Sequence, residues 1–236
     1  MDHAIPVFVG PEHLRPEDFL NIVDANSGTL RELTLLGPHV IDMPIRVFSA
    51  LTHLEIAVPS GEELTGLELV FHHAAYLESL SLAGWLGFDT FHILQTNSSS
   101  LPRLSSFQLL SLDYPVSAEC YTMLCDFLRG RTLLQRLSLR LAAPWTTVCM
   151  VLLVIKDLPA IRALGLHTGE VELPIILDFA WLGYHLPTTL EALHLAIFWD
   201  SDAMDISTLT PLVSNVLPPP PSTTTFLLMD VTARAD

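Results

Sequence analysis

The chain is poor in positive charge. Its 236 residues include 11 lysines and arginines against 26 aspartates and glutamates, for a formal charge of -15, and Lys156 is the single lysine. Non-specific binding to nucleic acid or to anionic lipid needs a positive surface. The composition therefore predicts no nucleic-acid partner and no membrane partner.

Long hydrophobic runs are also lacking. The longest apolar run that could suggest a membrane segment covers residues 148–155 and is followed by Lys156, whereas a bilayer needs ~20 apolar residues. The run thus predicts a buried helix. The first residues carry no basic stretch of the kind that opens a secretory signal, and the three cysteines (Cys120, Cys125 and Cys149) form no framework pattern. We expect reduced, buried thiols and an intracellular location, cytoplasmic or nuclear.

Catalytic and metal-binding motifs are the third absence. His72 and His73 are adjacent, so on a helix they point about 100° apart. The acidic loop Asp200, Asp202 and Asp205 lacks the glycine and the next ligand of a calcium loop. The spacing of Cys120 and Cys125 is not that of a redox pair. The sequence predicts no cofactor and no enzymatic function.

What the sequence does contain is a repeat. A six-residue motif with large apolar residues at positions one, four and six recurs every 21 to 30 residues. Its copies are LRELTL (30–35), LTHLEI (51–56), LESLSL (77–82), LSSFQL (104–109), LQRLSL (134–139), IRALGL (161–166) and LEALHL (190–195). A spacing in the twenties is typical of a leucine-rich-repeat solenoid, in which each repeat contributes one short strand.

The motif has a direct physical meaning, because alternate side chains of a strand face opposite sides. Positions four and six face a shared core, and position one enters from the preceding bend. Positions three, five and seven then form the open face of a parallel sheet. We predict an α/β fold: a right-handed coil of at least seven parallel strands with outer helices and an open concave sheet. A doubly wound α/β enzyme fold is the alternative, because it also alternates strands with helices.

The repeats divide the chain into three parts. Residues 1–29 form a worn first repeat or cap, with a weak strand at 4–9 and a helix from Pro16. Residues 30–200 hold the repeats, with strands starting near 30, 51, 77, 104, 134, 161 and 190. Residues 201–236 form a C-terminal cap with a helix at 205–216, a polyproline stretch at 218–221 and a last strand at 223–231. Return helices are expected at 44–50, 63–76, 89–97, 117–129, 146–157 and 175–184.

With these motifs laid out, residues 30–195 resemble the leucine-rich-repeat regions of fungal F-box-associated proteins. The usual asparagine or cysteine at the ninth motif position is missing, and no F-box is found in the sequence. The resemblance implies a non-catalytic protein-interaction module that recognises substrates for an SCF-type ubiquitin ligase, with a component of that ligase as a partner. A generic leucine-rich-repeat scaffold, or an enzyme with carboxylates on its loops, are the alternatives.

The most specific expectation concerns one strand. Arg136 and Arg140 are four residues apart, so they point to the same side, roughly 13 Å from each other. Stacking in order places Gln108 and His167 beside them, with Ser138 and His194 on the same face. We predict that this patch binds an acidic or phosphorylated segment of a protein partner. The alternative is that nearby carboxylates such as Glu55, Glu119 or Asp126 neutralise the arginines, or that water alone solvates them.

Overall fold

A computed structural model of the protein describes eight strands and six helices. It covers residues 16–37, 40–59, 62–84, 86–111, 116–141, 145–168, 186–200 and 226–234. The strands are β1 (Glu32–Leu36), β2 (His53–Val58), β3 (Ser79–Gly84), β4 (Ser106–Ser111), β5 (Arg136–Leu141), β6 (Ala163–Thr168), β7 (Ala192–Asp200) and β8 (Phe226–Arg234). The first seven each begin two residues after the first position of their motif.

All eight strands form one parallel sheet in which spatial order follows chain order. Each motif position lies beside the same position of the next repeat; Glu32 pairs with His53, His53 with Ser79, and so on to Ala192. The strand order contains no reversal, which a doubly wound sheet requires. The predicted α/β leucine-rich-repeat solenoid is confirmed.

The core is a stack of apolar pairs. In β1 to β6, the described side chains at motif positions four and six are buried, and Leu193 continues the first of these rows into β7. The first motif residue is buried from Leu30 to Ile161 and half-buried at Leu190. Each repeat therefore covers its neighbour's leucines, and the apolar interior is continuous along the described part of the chain.

A row of shared carbonyls joins the repeats just before the strands begin. The carbonyl of the second motif residue accepts hydrogen bonds from two successive N–H groups of the next repeat, at 2.7 to 3.0 Å. Arg31, for example, accepts from Thr52 and His53, and Thr52 accepts from Glu78 and Ser79. The same arrangement recurs at Glu78, Ser105, Gln135 and Arg162. It fixes the register of one repeat against the next without any asparagine side chain.

The helices return the chain on the apolar side of the sheet. They are α1 (Pro16–Ala25), α2 (Ile45–Phe48), α3 (Leu67–His73), α4 (Phe88–Thr96), α5 (Ala118–Arg129) and α6 (Trp145–Lys156), with a 3₁₀ turn at Val40–Asp42. Helix α4 packs on α5, and α5 packs on α6. Helix α5 begins as the sequence predicts, because the Cys120 N–H donates to the Ser117 side chain at 3.4 Å.

Helix positions agree with the sequence analysis more closely in some repeats than in others. Helices α4, α5 and α6 lie within one residue of the predicted ends, whereas α3 is seven residues long in place of the fourteen predicted. Gly66, in a left-handed conformation with φ 80°, precedes α3 and delays its start. The predicted first strand at 4–9, the helices at 175–184 and 205–216 and the polyproline stretch lie outside the described residues. Among the helices described, none is both long and apolar enough to cross a bilayer.

Arg131 is a buried charge at a position that is apolar or small in the other repeats. It lies three residues before its motif, where the other repeats place buried Ser27, Phe48, Ala74, Leu101, Leu158 and Pro187. Arg131 is 5% exposed, and its guanidinium donates to the carbonyls of Ser100, of Leu101 (3.3 Å) and of Asn97 (3.2 Å). It also lies over the Phe127 ring, 4.1 Å from the centroid. Burial lowers the pKa of Arg131 to about 10, so the side chain stays charged at neutral pH.

We expect Arg131→Ala to lower the free energy of unfolding by about 2 to 4 kcal/mol, because it removes the side-chain donor from the Ser100 carbonyl, removes one of two donors from each of the Asn97 and Leu101 carbonyls, and opens a cavity. Urea unfolding monitored by circular dichroism measures this change. Arg129→Ala is the matched control. Arg129 is an exposed arginine that pairs with Asp126, and losing it should cost less than about 1 kcal/mol. Equal losses in the two variants would contradict a structural role specific to Arg131.

Gly84 gives a second test of the fold. It lies at the end of β3 with φ 105°, and a Cβ added there would come within 1.9 Å of the Val58 carbonyl oxygen. We expect Gly84→Ala to destabilise the protein by about 2 kcal/mol or more, from backbone strain and from this close approach. Gly28→Ala is the control, because nothing lies within 4 Å of its added Cβ. The same urea experiment compares them, and a Gly84→Ala protein as stable as Gly28→Ala would refute the close packing of β2 and β3.

Candidate functional site

The open face of the sheet carries three rows of side chains, at motif positions three, five and seven. The third row is Glu32, His53, Ser79, Ser106, Arg136, Ala163 and Ala192; the fifth row is Thr34, Glu55, Ser81, Gln108, Ser138, Gly165 and His194; the seventh row runs from Leu36 through Ala57, Ala83, Leu110 and Arg140 to His167. Every described side chain in these rows is exposed or half-buried. The described side chains of the open face are therefore accessible, as the alternation within the motif predicts.

Charge is distributed unevenly across this face. Glu32 and Glu55 lie on β1 and β2, and the Nδ1 atom of His53 is 4.0 Å from a carboxylate oxygen of Glu32. The two arginines lie on β5, and the two histidines lie on β6 and β7. Neighbouring strands are about 4.8 Å apart, so β2 and β5 are separated by roughly 14 Å. Among the described side chains of the face, the carboxylates of β1 and β2 are therefore well separated from the arginines of β5.

The structure brings the predicted site residues onto neighbouring strands. Arg140 lies directly beside His167 of β6, as the sequence analysis expects. Gln108 lies beside Ser138 and not beside either arginine; it flanks both of them diagonally, and its side-chain oxygen accepts from Ser81 at 3.4 Å. Arg136 is exposed and Arg140 is half-buried.

The carboxylates offered as an alternative explanation for the arginines lie elsewhere. Asp126 belongs to helix α5 on the other side of the sheet, where it pairs with Arg129 and accepts from Gln95 at 2.7 Å. Glu119 is exposed in the first turn of the same helix. Glu55 is on β2, three strands from β5. These three carboxylates therefore lie away from the arginine pair.

His167 and His194 form a ring pair across β6 and β7. Their centroids are 5.1 Å apart and the rings meet edge to face, at 83°. Burial lowers the pKa of His167, and the positive charges that His194 and Arg140 can carry lower it further. His167 is therefore largely neutral at pH 7 in the free protein. An anion held beside it would offset the nearby positive charge.

A shallow depression of about 420 Å³ opens between β4 and β7. Its floor includes the small residues Ala163, Gly165 and Ala192, and Arg136, Gln108 and His194 are among the side chains at its margin. These residues occupy motif positions three and five, which the alternation of the strand assigns to the open face, but the alternation alone does not predict a depression. The feature of the sequence that creates the depression is a group of three small residues on two adjacent strands. Only the pairing of β6 with β7 brings these residues together.

Other groups that were considered as sites have structural explanations. The Nδ1–H group of His72 donates to the Glu68 carbonyl oxygen at 2.7 Å. Cys120 and Cys125 are buried, and burial raises the pKa of Cys125 to about 11, as expected for an inert thiol. Within the described residues no group of histidine, cysteine and acidic side chains is arranged to hold a metal ion. The loop carboxylates Asp202 and Asp205 lie outside the described residues.

No family model and no curated protein matches the chain. Nine chains of solved structures match. One is human 5T4, also called Wnt-activated inhibitory factor 1 or trophoblast glycoprotein, with 21% sequence identity and a TM-score of 0.44 over 86% of this chain and 71% of that chain. A likeness this distant identifies neither a family nor a function. The assignment to the leucine-rich-repeat fold follows from the strand order and register described above.

The histidine pair leads to a pH prediction. Because the folded chain holds His167 below its ordinary pKa of 6.5, the unfolded chain takes up that proton at higher pH, and stability is lost as pH falls through 6.5. Histidine ring signals in NMR spectra recorded between pH 5 and 8 should show His167 titrating below 6.5. In His194→Ala the value should rise, yet remain below 6.5 because burial persists. The spectrum of His167→Gln assigns the signal, and titration of His167 above 6.5 in the wild-type protein would contradict the arrangement.

Proposed function

We propose that the protein is a non-catalytic interaction scaffold that binds an acidic or phosphorylated segment of a protein partner on the open face. The observation that carries the proposal is the pair Arg136 and Arg140 on an uncovered sheet face, within a chain of formal charge -15. Against that background, two permanent positive charges on one strand form a local site for anions. The flanking groups include hydrogen-bond donors and a histidine pair.

The chemistry of arginine supports this choice of ligand. A guanidinium group is planar and presents donors that match carboxylate and phosphate oxygens two at a time. The side chains of Arg136 and Arg140 are about 13 Å apart along β5, which corresponds to four residues of an extended partner chain. A partner strand lying along the face can therefore place one acidic group against each arginine. Serine and glutamine side chains between them supply neutral hydrogen bonds.

A finer proposal follows from the resemblance to F-box-associated proteins: the scaffold recruits its partner to an SCF-type ubiquitin ligase. The single lysine is consistent with work beside a lysine-modifying enzyme, since Lys156, exposed at the end of α6, is the only side chain of this type. Affinity purification of the tagged protein from its own cells, followed by mass spectrometry, tests the idea. Recovery of a cullin-associated adaptor supports it, and repeated failure to recover any ligase component leaves only the scaffold proposal.

The arginine pair is tested with a defined probe. We expect a fluorescein-labelled peptide of glutamate and phosphoserine to bind the wild-type protein, and Arg136→Ala/Arg140→Ala to weaken binding about 100-fold, at roughly 1.5 kcal/mol for each lost charged contact. Fluorescence anisotropy measures the affinity. The loss should be largest at low salt, where charges are least screened.

A matched double variant controls for net charge. Arg103 lies over the Tyr76 ring and Arg129 pairs with Asp126, both away from the open face. Arg103→Ala/Arg129→Ala removes the same two charges and should leave peptide affinity within about twofold of wild type. Equal weakening by the two double variants would show that only overall charge matters. Unchanged affinity in Arg136→Ala/Arg140→Ala would place the site elsewhere.

A further inference from the structure

The floor of the depression is flat because its residues are almost without side chains. At Gly165 an added Cβ would lie 2.9 Å from the Ser138 hydroxyl oxygen, so a larger residue there would have to displace that side chain. Ala163, on the same strand, and Ala192, beside it on β7, leave the neighbouring surface equally low. The result is a patch of backbone and methyl groups that is mostly apolar.

The margin of the depression carries planar, nitrogen-bearing groups. Arg136 stands on the β5 side and His194 on the β7 side, with Gln108 further along. A guanidinium group and an imidazole both make favourable contacts with the faces and edges of aromatic rings. An aliphatic side chain of the partner could not make these contacts. This chain uses the same contact twice elsewhere, with Arg131 over Phe127 at 4.1 Å and Arg103 over Tyr76 at 4.6 Å.

From this geometry we infer that the depression holds an aromatic side chain of an acidic partner segment, with the ring on the small-residue floor and the acidic groups on Arg136 and Arg140. The inference rests on the proposed function, which supplies the acidic segment through charge complementarity. The ring adds selectivity, because charge alone does not distinguish one acidic segment from another. A volume of about 420 Å³ lies within the 300 to 1,000 Å³ usual for binding sites.

Aromatic anchors are favoured on energetic grounds as well. A tyrosine ring buries a large area with few rotatable bonds, so it loses little conformational entropy when it is held. Its hydroxyl group can meet Gln108, Ser138 or Ser106, which line the same depression. An aliphatic anchor would bury area without using these donors and acceptors.

Four nine-residue peptides test the inference by fluorescence anisotropy. Three have glutamate flanks and a central tyrosine, leucine or alanine, and the fourth has the central tyrosine with neutral serine flanks. We expect the acidic tyrosine peptide to bind about tenfold more tightly than the acidic alanine peptide, and more tightly than the leucine peptide. Equal affinity of the leucine and tyrosine peptides would overturn the choice of an aromatic ring.

Variants that fill the depression locate the ring. Gly165→Val and Ala163→Leu, made separately, should lower the affinity of the acidic tyrosine peptide to that of the alanine peptide without changing the latter. Ala83→Leu adds a similar volume on the same face but outside the depression, and should have no effect. Circular dichroism checks that each variant is folded. If Gly165→Val does not fold, Ala163→Leu alone tests the inference.

The two proposals fail in different ways. If acidic peptides bind through the arginine pair but neither filling variant changes the tyrosine peptide's affinity, the ring site is wrong and the proposed function survives. If the acidic tyrosine peptide binds no better than the peptide with serine flanks, the acidic partner is wrong. Arg136→Ala should weaken every glutamate-flanked peptide, whereas the filling variants should affect only those with a large central residue.

Discussion

The fold depends on repeats being held in register by their backbones. Each carbonyl of the second motif residue accepts two N–H groups from the following repeat, and the strands then pair position by position. A slip of one residue would turn every leucine of a strand toward water. Because register is set at the point where each strand begins, the return segments are free to vary in length, and motif spacings of 21 to 30 residues fit one sheet.

Arg131 shows that the variable return segments can accommodate a buried charged side chain. Its position is apolar or small in the other repeats, yet the buried guanidinium is accommodated because three carbonyls at the end of α4 and in the following turn accept hydrogen bonds from its two terminal nitrogens. These groups lie where the helix dipole is negative, which also favours a cation. The side chain ties the turn after α4 to the repeat that follows. It connects neighbouring repeats on the helix side, away from the carbonyl row at the strands.

The strands and the open face were predictable because alternation in a strand is strict. The alternation places Arg136, Arg140, His167 and His194 on one face, and the register of the strands agrees. Strand starts were predicted two residues early, since Leu30 and its counterparts are buried in the bend before the strand and look like strand residues. The burial of Arg131 was not predictable, because its partners lie 30 to 34 residues earlier in the chain. Predicting the depression would have required the side chains of four neighbouring strands to be considered together.

The uneven charge of the open face gives a partner a preferred position. An acidic segment is attracted to Arg136 and Arg140 and repelled by Glu32 and Glu55, which lie on strands at least roughly 14 Å away from β5. That distance exceeds the Debye length of about 8 Å at physiological salt, so the repulsion is largely screened there while direct contacts with the arginines persist. At low salt both forces act over the whole face. At physiological salt, β1 and β2 therefore have little effect on a partner bound at β5. At low salt, their carboxylates also repel an acidic partner from the first repeats.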